Sequence, residues 1–185
     1  MIITISGTPG SGKSTVAKGI AERLGYEHFS AGDFMRKLAE EKNTSLQELM
    51  KKAEKNKTID KMIDEQTKKL AKEKDDFVID SRLAFHFIPE SIKIFLKTDE
   101  LVAAKRILRD IMRNKRKTES EIKTLKDAEN LIKKRLESEK KRYKKYYGLD
   151  YLDEENYDFV LDTTGLVPEE AIDKVMNFII NKISE

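Results

Sequence analysis

The sequence contains no cysteine, which excludes disulfides and thiolate metal sites. It has only two histidines, too few to suggest an imidazole metal centre. No apolar run approaches the ~20 residues that a membrane-spanning helix needs. The opening residues, MIITIS, show neither the basic residues nor the small-residue cleavage pattern of a secretory leader, so a cytoplasmic chain is expected. An excess of one charge is also missing: 37 Lys and Arg stand against 34 Asp and Glu, for a formal net charge of +3. Global charge therefore gives no reason to expect nucleic acid as a partner. At 185 residues the chain suits one domain with a substantial core.

What is present is an alternation. MIITIS is a short β-rich run, and a helical pattern begins at Lys13. Val16, Ile20 and Leu24 recur every four residues, and Gly25 marks the end. YEHFS reads as a second strand. Residues 33–73 are helical with breaks at Asn43-Thr44-Ser45 and Asn56-Lys57-Thr58, both rich in capping residues. DFVID, SIKIFLKT and YDFVLDTT read as the third, fourth and fifth strands. A helix is expected from about Asp99, then a charged stretch over 109–127, then a long charged helix to about Tyr147. The last helix has Pro168 near its start and Glu169-Glu170 at the positive end of its dipole. Ile172, Val175, Met176, Ile179, Ile180 and Ile183 form its predicted apolar stripe. Continuous apolar strands alternating with helices predict an α/β fold, a five-stranded parallel sheet flanked by helices.

Gly7, Gly12, Lys13 and Ser14 match the pattern G-x-x-x-x-G-K-[ST] between a strand and a helix, the context that gives the pattern meaning. Gly7, Thr8, Pro9, Gly10, Ser11, Gly12, Lys13, Ser14 and Thr15 would curl so that successive N–H groups point inward as an anion nest. The helix N-terminus adds its own donors. Such a loop holds the triphosphate tail of a nucleotide. Lys13 is expected at the β- and γ-phosphates, with the Ser14 hydroxyl on Mg2+. Asp80 ends the third strand, where parallel sheets bind ligands, and is the expected second metal partner through water.

A phosphate loop identifies a nucleotide and not a reaction. Four features point to a second anionic substrate. Arg36 sits in SAGDFMR at a helix start, and Arg82 lies two residues beyond Asp80. Arg135, Glu139 and Arg142 share one helical face, as do Arg106, Arg109 and Arg113. Arg grips phosphate with a planar fork, whereas Lys acts as a point charge. By spacing alone, Arg135, Glu139 and Arg142 also fit a row of surface ion pairs. Tyr143, Tyr146, Tyr147 and Tyr151 are expected to pack, and His28 to sit at a strand edge with no metal role.

SGTPGSGKSTVAKGIAERLG, FSAGDFMR, VIDSRLA, IKIFLKT, RLESEKKRYKKYYGLD and YDFVLDTT together carry a resemblance. The chain resembles P-loop nucleoside monophosphate kinases, most closely the archaeal type of cytidylate kinase, over nearly its whole length. The resemblance implies a P-loop NTPase fold with a helical monophosphate-binding segment, about 33–73, and a LID, about 109–127. It implies ATP and Mg2+ as cofactors and CMP, with dCMP, as acceptor. Ser30, Arg36 and Arg82 would hold the monophosphate. Arg135, Glu139 and Arg142 would reach the CMP, with Glu139 accepting from the cytosine amino group while Arg142 holds it. In the phosphoryl transfer that follows, Arg106 and Arg109 would close over the transferring group, and Lys13 would be the catalytic cation. A monomer without nucleic-acid or membrane partners is expected. Two alternatives stay open: an AMP or UMP kinase of the same fold, and a nucleic-acid-associated P-loop ATPase using the Lys-rich 105–145 region.

Overall fold

The computed structural model describes residues 1–113, 119 and 121–184. Residues 114–118 and 120, inside the expected LID, lie outside the described residues. Five parallel strands form one sheet in the order β2-β3-β1-β4-β5: β1 (Ile2–Gly7), β2 (Glu27–Ser30), β3 (Phe77–Asp80), β4 (Ile92–Lys97) and β5 (Phe159–Asp162). The central strand β1 is buried along its whole length, as its continuous apolar sequence requires. It pairs with β3 at Ile5 and Asp80 and with β4 at Gly7 and Leu96. The loop after β1 and the end of β3 therefore meet at the carboxyl edge of the sheet, where the strand order reverses. That edge is the ligand-binding crevice of open α/β sheets.

Helix α1 (Lys13–Leu24) ends at Gly25, whose φ of 69° closes the last turn. With α8 (Pro168–Ser184), α1 covers one face of the sheet. Ile3, Ile5, Ile94, Val16, Ile20, Ile172, Val175 and Ile179 form the core between them. The predicted α8 stripe is correct at Ile172, Val175 and Ile179. Ile180 and Ile183 instead stand 52% and 58% exposed. Ile180 lies on the shoulder of the stripe, 100° around from Ile179, and Ile183 falls in the final turn.

Helices α2 (Ala31–Glu41), α3 (Leu46–Lys55) and α4 (Thr58–Glu73) fill the segment expected to be helical with breaks. Ser45 and Glu48 close a capping box on α3, and the Asn56 side chain accepts from the Thr58 N–H. The short helix α5 (Ala84–Phe87) follows β3, α6 (Glu100–Met112) follows β4, and α7 (Leu125–Tyr147) packs on α6 through Ala103, Ala104, Ile107, Leu131 and Ile132. None of the described helices is long and apolar enough to cross a membrane.

Candidate active site

The loop after β1 is tight because three of its glycines take conformations closed to other residues: φ is 144° at Gly7, 76° at Gly10 and 88° at Gly12. Gly7 and Gly10 also lie against backbone. A Cβ on Gly7 would stand 1.9 Å from the Leu96 carbonyl oxygen, and one on Gly10 would meet Ala103 at 2.8 Å. Gly7→Ala is therefore expected to destabilise the protein by on the order of 3 kcal/mol, because neither strand can yield. Urea unfolding measures it, and a loss under about 1 kcal/mol would mean the loop is loosely held.

Helix α1 has Gly12 at its N-cap and no side-chain cap, so its first N–H groups are available to an anion. The Lys13 ammonium lies 3.2 Å from the Thr8 carbonyl, folded over the loop. The Ser14 hydroxyl donates to Asp80 Oδ1 at 2.9 Å. Hydroxyl and carboxylate are hard oxygen donors of the kind Mg2+ takes, so the residues present fit that ion. Asp80 also accepts from Ser30 Oγ at 3.2 Å, and its other oxygen lies 2.9 Å from His28 Nε2. Burial alone would push the Asp80 carboxyl up. His28, Lys13 and Ser14 outweigh it and hold the group below its ordinary range. His28 is more than an edge residue, since its ring steadies the Asp80 carboxylate. Its register opposite Val78 in β3 brings it there, which no spacing in the chain reveals.

Beyond the loop, a pocket of about 620 Å³ opens between Lys13, Thr15, Arg106, Arg109, Arg113 and Val167. Arg109 is exposed at its wall. Arg106, expected to close over the transferring group, is otherwise engaged. Its guanidinium donates to the Thr163 carbonyl at 2.7 Å, the Thr163 hydroxyl at 3.1 Å and the Leu166 carbonyl at 3.3 Å, with Gly10 O at 3.5 Å. The Thr163 hydroxyl in turn donates to Ser11 O at 2.9 Å. Arg106 thus ties the β5–α8 loop to the phosphate loop, and backbone oxygens take up its donors.

On the other side of Lys13 a second cleft is lined by residues of α2, α4, β3 and α7. Arg36, Arg82, Arg135, Glu139 and Arg142 all line it, together with Pro9, Lys13 and Asp80. The surface-row reading of the α7 trio does not hold: Arg135, Glu139 and Arg142 are 8%, 5% and 3% exposed. Burial on this scale forces each charge to find a partner. Arg36, on the second turn of α2 because that helix starts at Ala31, pairs with Asp33 at 2.5 Å. Arg82 Nε donates to Glu139 Oε2 at 2.9 Å, and the Tyr151 hydroxyl donates to the same oxygen at 2.6 Å. Arg135 pairs with Glu119 at 2.8 Å. Arg142 pairs with Asp60 of α4, and not with Glu139 as expected. Burial would push Glu139 up, but Arg82 and the Tyr151 hydroxyl hold its carboxyl down.

Sequence reading passed over Asp60, Asp64 and Glu119. A signal was present for the first two. Asp60, Ile63, Asp64 and Thr67 are spaced as the inward stripe of a helix, and carboxylates where apolar residues belong mark a lined cleft. Asp64 accepts from the Tyr147 hydroxyl, and burial pushes its carboxyl up to about 6. The four tyrosines do pack, in edge-on contacts such as Tyr143 with Tyr151, and two of them also bind cleft carboxylates.

The family model described as "Cytidylate kinase-like family" matches residues 2–165. The chain belongs to that family. It is 42% identical over 171 residues to the cytidylate kinase of Natronomonas pharaonis, covering 91% of this chain and 84% of that one. It is 40% identical over 179 residues to the cytidylate kinase of Halobacterium salinarum, covering 96% and 88%. Among solved structures it superposes on shikimate kinase from Acinetobacter baumannii with a TM-score of 0.63 at 15% identity, over 98% of this chain and 93% of that one. The Aquifex aeolicus shikimate kinase gives 0.58 at 18%. Identities this low speak for the P-loop kinase fold alone. Within the cytidylate kinase-like family, the fold expected from the sequence is the one observed.

Proposed function

We propose that the chain transfers the γ-phosphoryl group of ATP to CMP, and also to dCMP, giving the diphosphate and ADP. One observation carries this beyond family membership. The cleft holding Arg36, Arg82, Arg135 and Arg142 opens directly onto Lys13 and Ser14 of the phosphate loop, so a second phosphate can lie in line with the first. The donor triphosphate would rest on the loop N–H groups and Lys13. Mg2+ would be held by Ser14 and, through water, by Asp80, and would neutralise charge on the β- and γ-phosphates. Ser30 and Arg36 flank the acceptor phosphate, with Arg82 aimed by Glu139. Arg109 reaches the donor side, and Arg106 keeps the loop in register beneath it.

Phosphoryl transfer needs positioning and charge neutralisation more than covalent help. The acceptor oxygen is already ionised, so no general base is required. The arginine walls and helices α2, α3 and α4 would exclude water as they close, since water would otherwise take the phosphoryl group.

A coupled assay with ATP and each monophosphate in turn tests the reading. ADP is expected to form only when a monophosphate is present, fastest with CMP. ADP formation without an acceptor would identify an ATPase, and a preference for AMP or UMP would overturn the assignment of CMP.

A further inference from the structure

Resting on that reading, we propose that the buried Asp60–Arg142 pair reads the base of the acceptor nucleotide, and that Glu139 does not. Asp60 would accept from the exocyclic amino group. Arg142 would donate to the neighbouring ring nitrogen.

Asp60 is 4% exposed and lines the acceptor cleft. Its Oδ1 accepts from Arg142 Nη1. Its Oδ2 is buried with no partner, and so is Nε of Arg142. A buried carboxylate oxygen and a buried guanidinium N–H left unpaired cost free energy unless a ligand supplies what they lack. Together they call for a donor beside an acceptor. Cytosine offers that order on its pairing edge, an amino group next to an unprotonated ring nitrogen. Uracil offers the reverse and would leave both protein atoms unpaired. Adenine shares the amino-then-nitrogen order, so UMP is the informative comparison.

Among the described residues, Asp60 Oδ2 is the one fully buried carboxylate oxygen without a partner, whereas the other cleft carboxylates are already engaged through at least one oxygen. Glu139 Oε2 receives both Arg82 and Tyr151, and Asp64 receives Tyr147. Arg82 lies two residues from the metal-side Asp80, which places the acceptor phosphate at that end. Asp60 comes from α4, a different element lining the same cleft. Ile63, Leu83 and Phe87 line the same cleft and supply apolar surface for a flat ring.

Steady-state kinetics with CMP, UMP and pyrimidin-2-one riboside 5′-monophosphate, which lacks only the amino group, decide the matter. Asp60→Asn presents an amide able to donate to the uracil carbonyl. It is expected to lower kcat/KM for CMP by at least ~10-fold and to narrow the CMP:UMP ratio by a similar factor, with KM for ATP changed less than about twofold. Glu139→Gln is expected to lower CMP and UMP together and keep their ratio. The wild-type protein is expected to use the pyrimidin-2-one analogue at least ~10-fold less well than CMP, a result that does not depend on any variant folding. An unchanged ratio in Asp60→Asn, a collapsed ratio in Glu139→Gln, or equal use of CMP and the analogue would each overturn the inference while leaving CMP kinase activity standing. Absence of CMP phosphorylation in the wild-type protein would be a different result, and would remove the proposed function itself.

Discussion

Lys13→Ala is expected to reduce kcat to less than a tenth of the wild-type value while leaving the thermal unfolding midpoint within about 2 °C. The two halves of the expectation have separate physical grounds. The side chain is half-buried at the first residue of α1, outside the hydrophobic clusters, so the fold loses little packing. The chemistry loses much more. Lys13 carries the cation of the phosphate loop, folded against the Thr8 carbonyl at 3.2 Å, where the β- and γ-phosphates would lie. A charge that strengthens its hold as negative charge shifts towards the leaving group lowers the barrier and not merely the binding energy. A tenfold fall corresponds to ~1.4 kcal/mol of barrier, and loss of a positioned cation should exceed that. Initial rates of CDP formation at saturating ATP and CMP measure it. A variant retaining more than a tenth of kcat would show that this lysine only gathers the nucleotide.

The sequence carried the phosphate loop and the position of Asp80 plainly. A glycine-rich loop between a strand and a helix can turn successive N–H groups inward as an anion nest. An acid at the end of an apolar strand lands at the ligand edge of a parallel sheet, and Asp80 sits within 2.9 Å of Ser14 as that reasoning requires. The second cleft was legible in its cations and obscure in its pairings. Arg36, Arg82, Arg135 and Arg142 stood out because this chain otherwise spends lysine on its surface. Their partners did not. Asp60 and Arg142 are 82 residues apart, and Arg82 and Glu139 are 57 apart. Helical spacing reports which residues share a face. It says nothing about which face of another element comes to meet them. The local expectation therefore placed Arg142 on Glu139, three residues away, and tertiary packing placed it on α4. Arg106 has partners that spacing could not show, for a related reason. Its spacing from Arg109 suggested a pair of phosphate grips, but the β5–α8 loop brings backbone carbonyls of Thr163 and Leu166 within its reach. Buried carbonyls need donors as much as phosphates do.

The second large effect is expected at Arg82 and Glu139 taken together. Arg82→Ala should raise KM for CMP at least ~10-fold with KM for ATP nearly unchanged, because the guanidinium lies in the acceptor cleft and away from the donor pocket. Glu139→Ala should do the same without touching the phosphate. The Glu139 carboxylate fixes Arg82 Nε at 2.9 Å, and Tyr151 fixes the carboxylate in turn. Released from that grip, a rotamer-rich side chain no longer points one way. Removing Glu139 also leaves a cation in a site where it is only 17% exposed. Breaking a buried pair from one side costs ~3–5 kcal/mol of stability, so urea unfolding should show both single variants as destabilised. The Arg82→Ala/Glu139→Ala double variant then separates aiming from direct contact. If Glu139 acts through Arg82, its loss adds almost nothing to KM once Arg82 is gone, and part of the stability returns because no buried charge is left unpaired. Residues in one network behave this way, whereas independent contacts add within ~0.5 kcal/mol. A double variant whose KM for CMP equals the product of the two single effects would show that Glu139 touches the nucleotide itself.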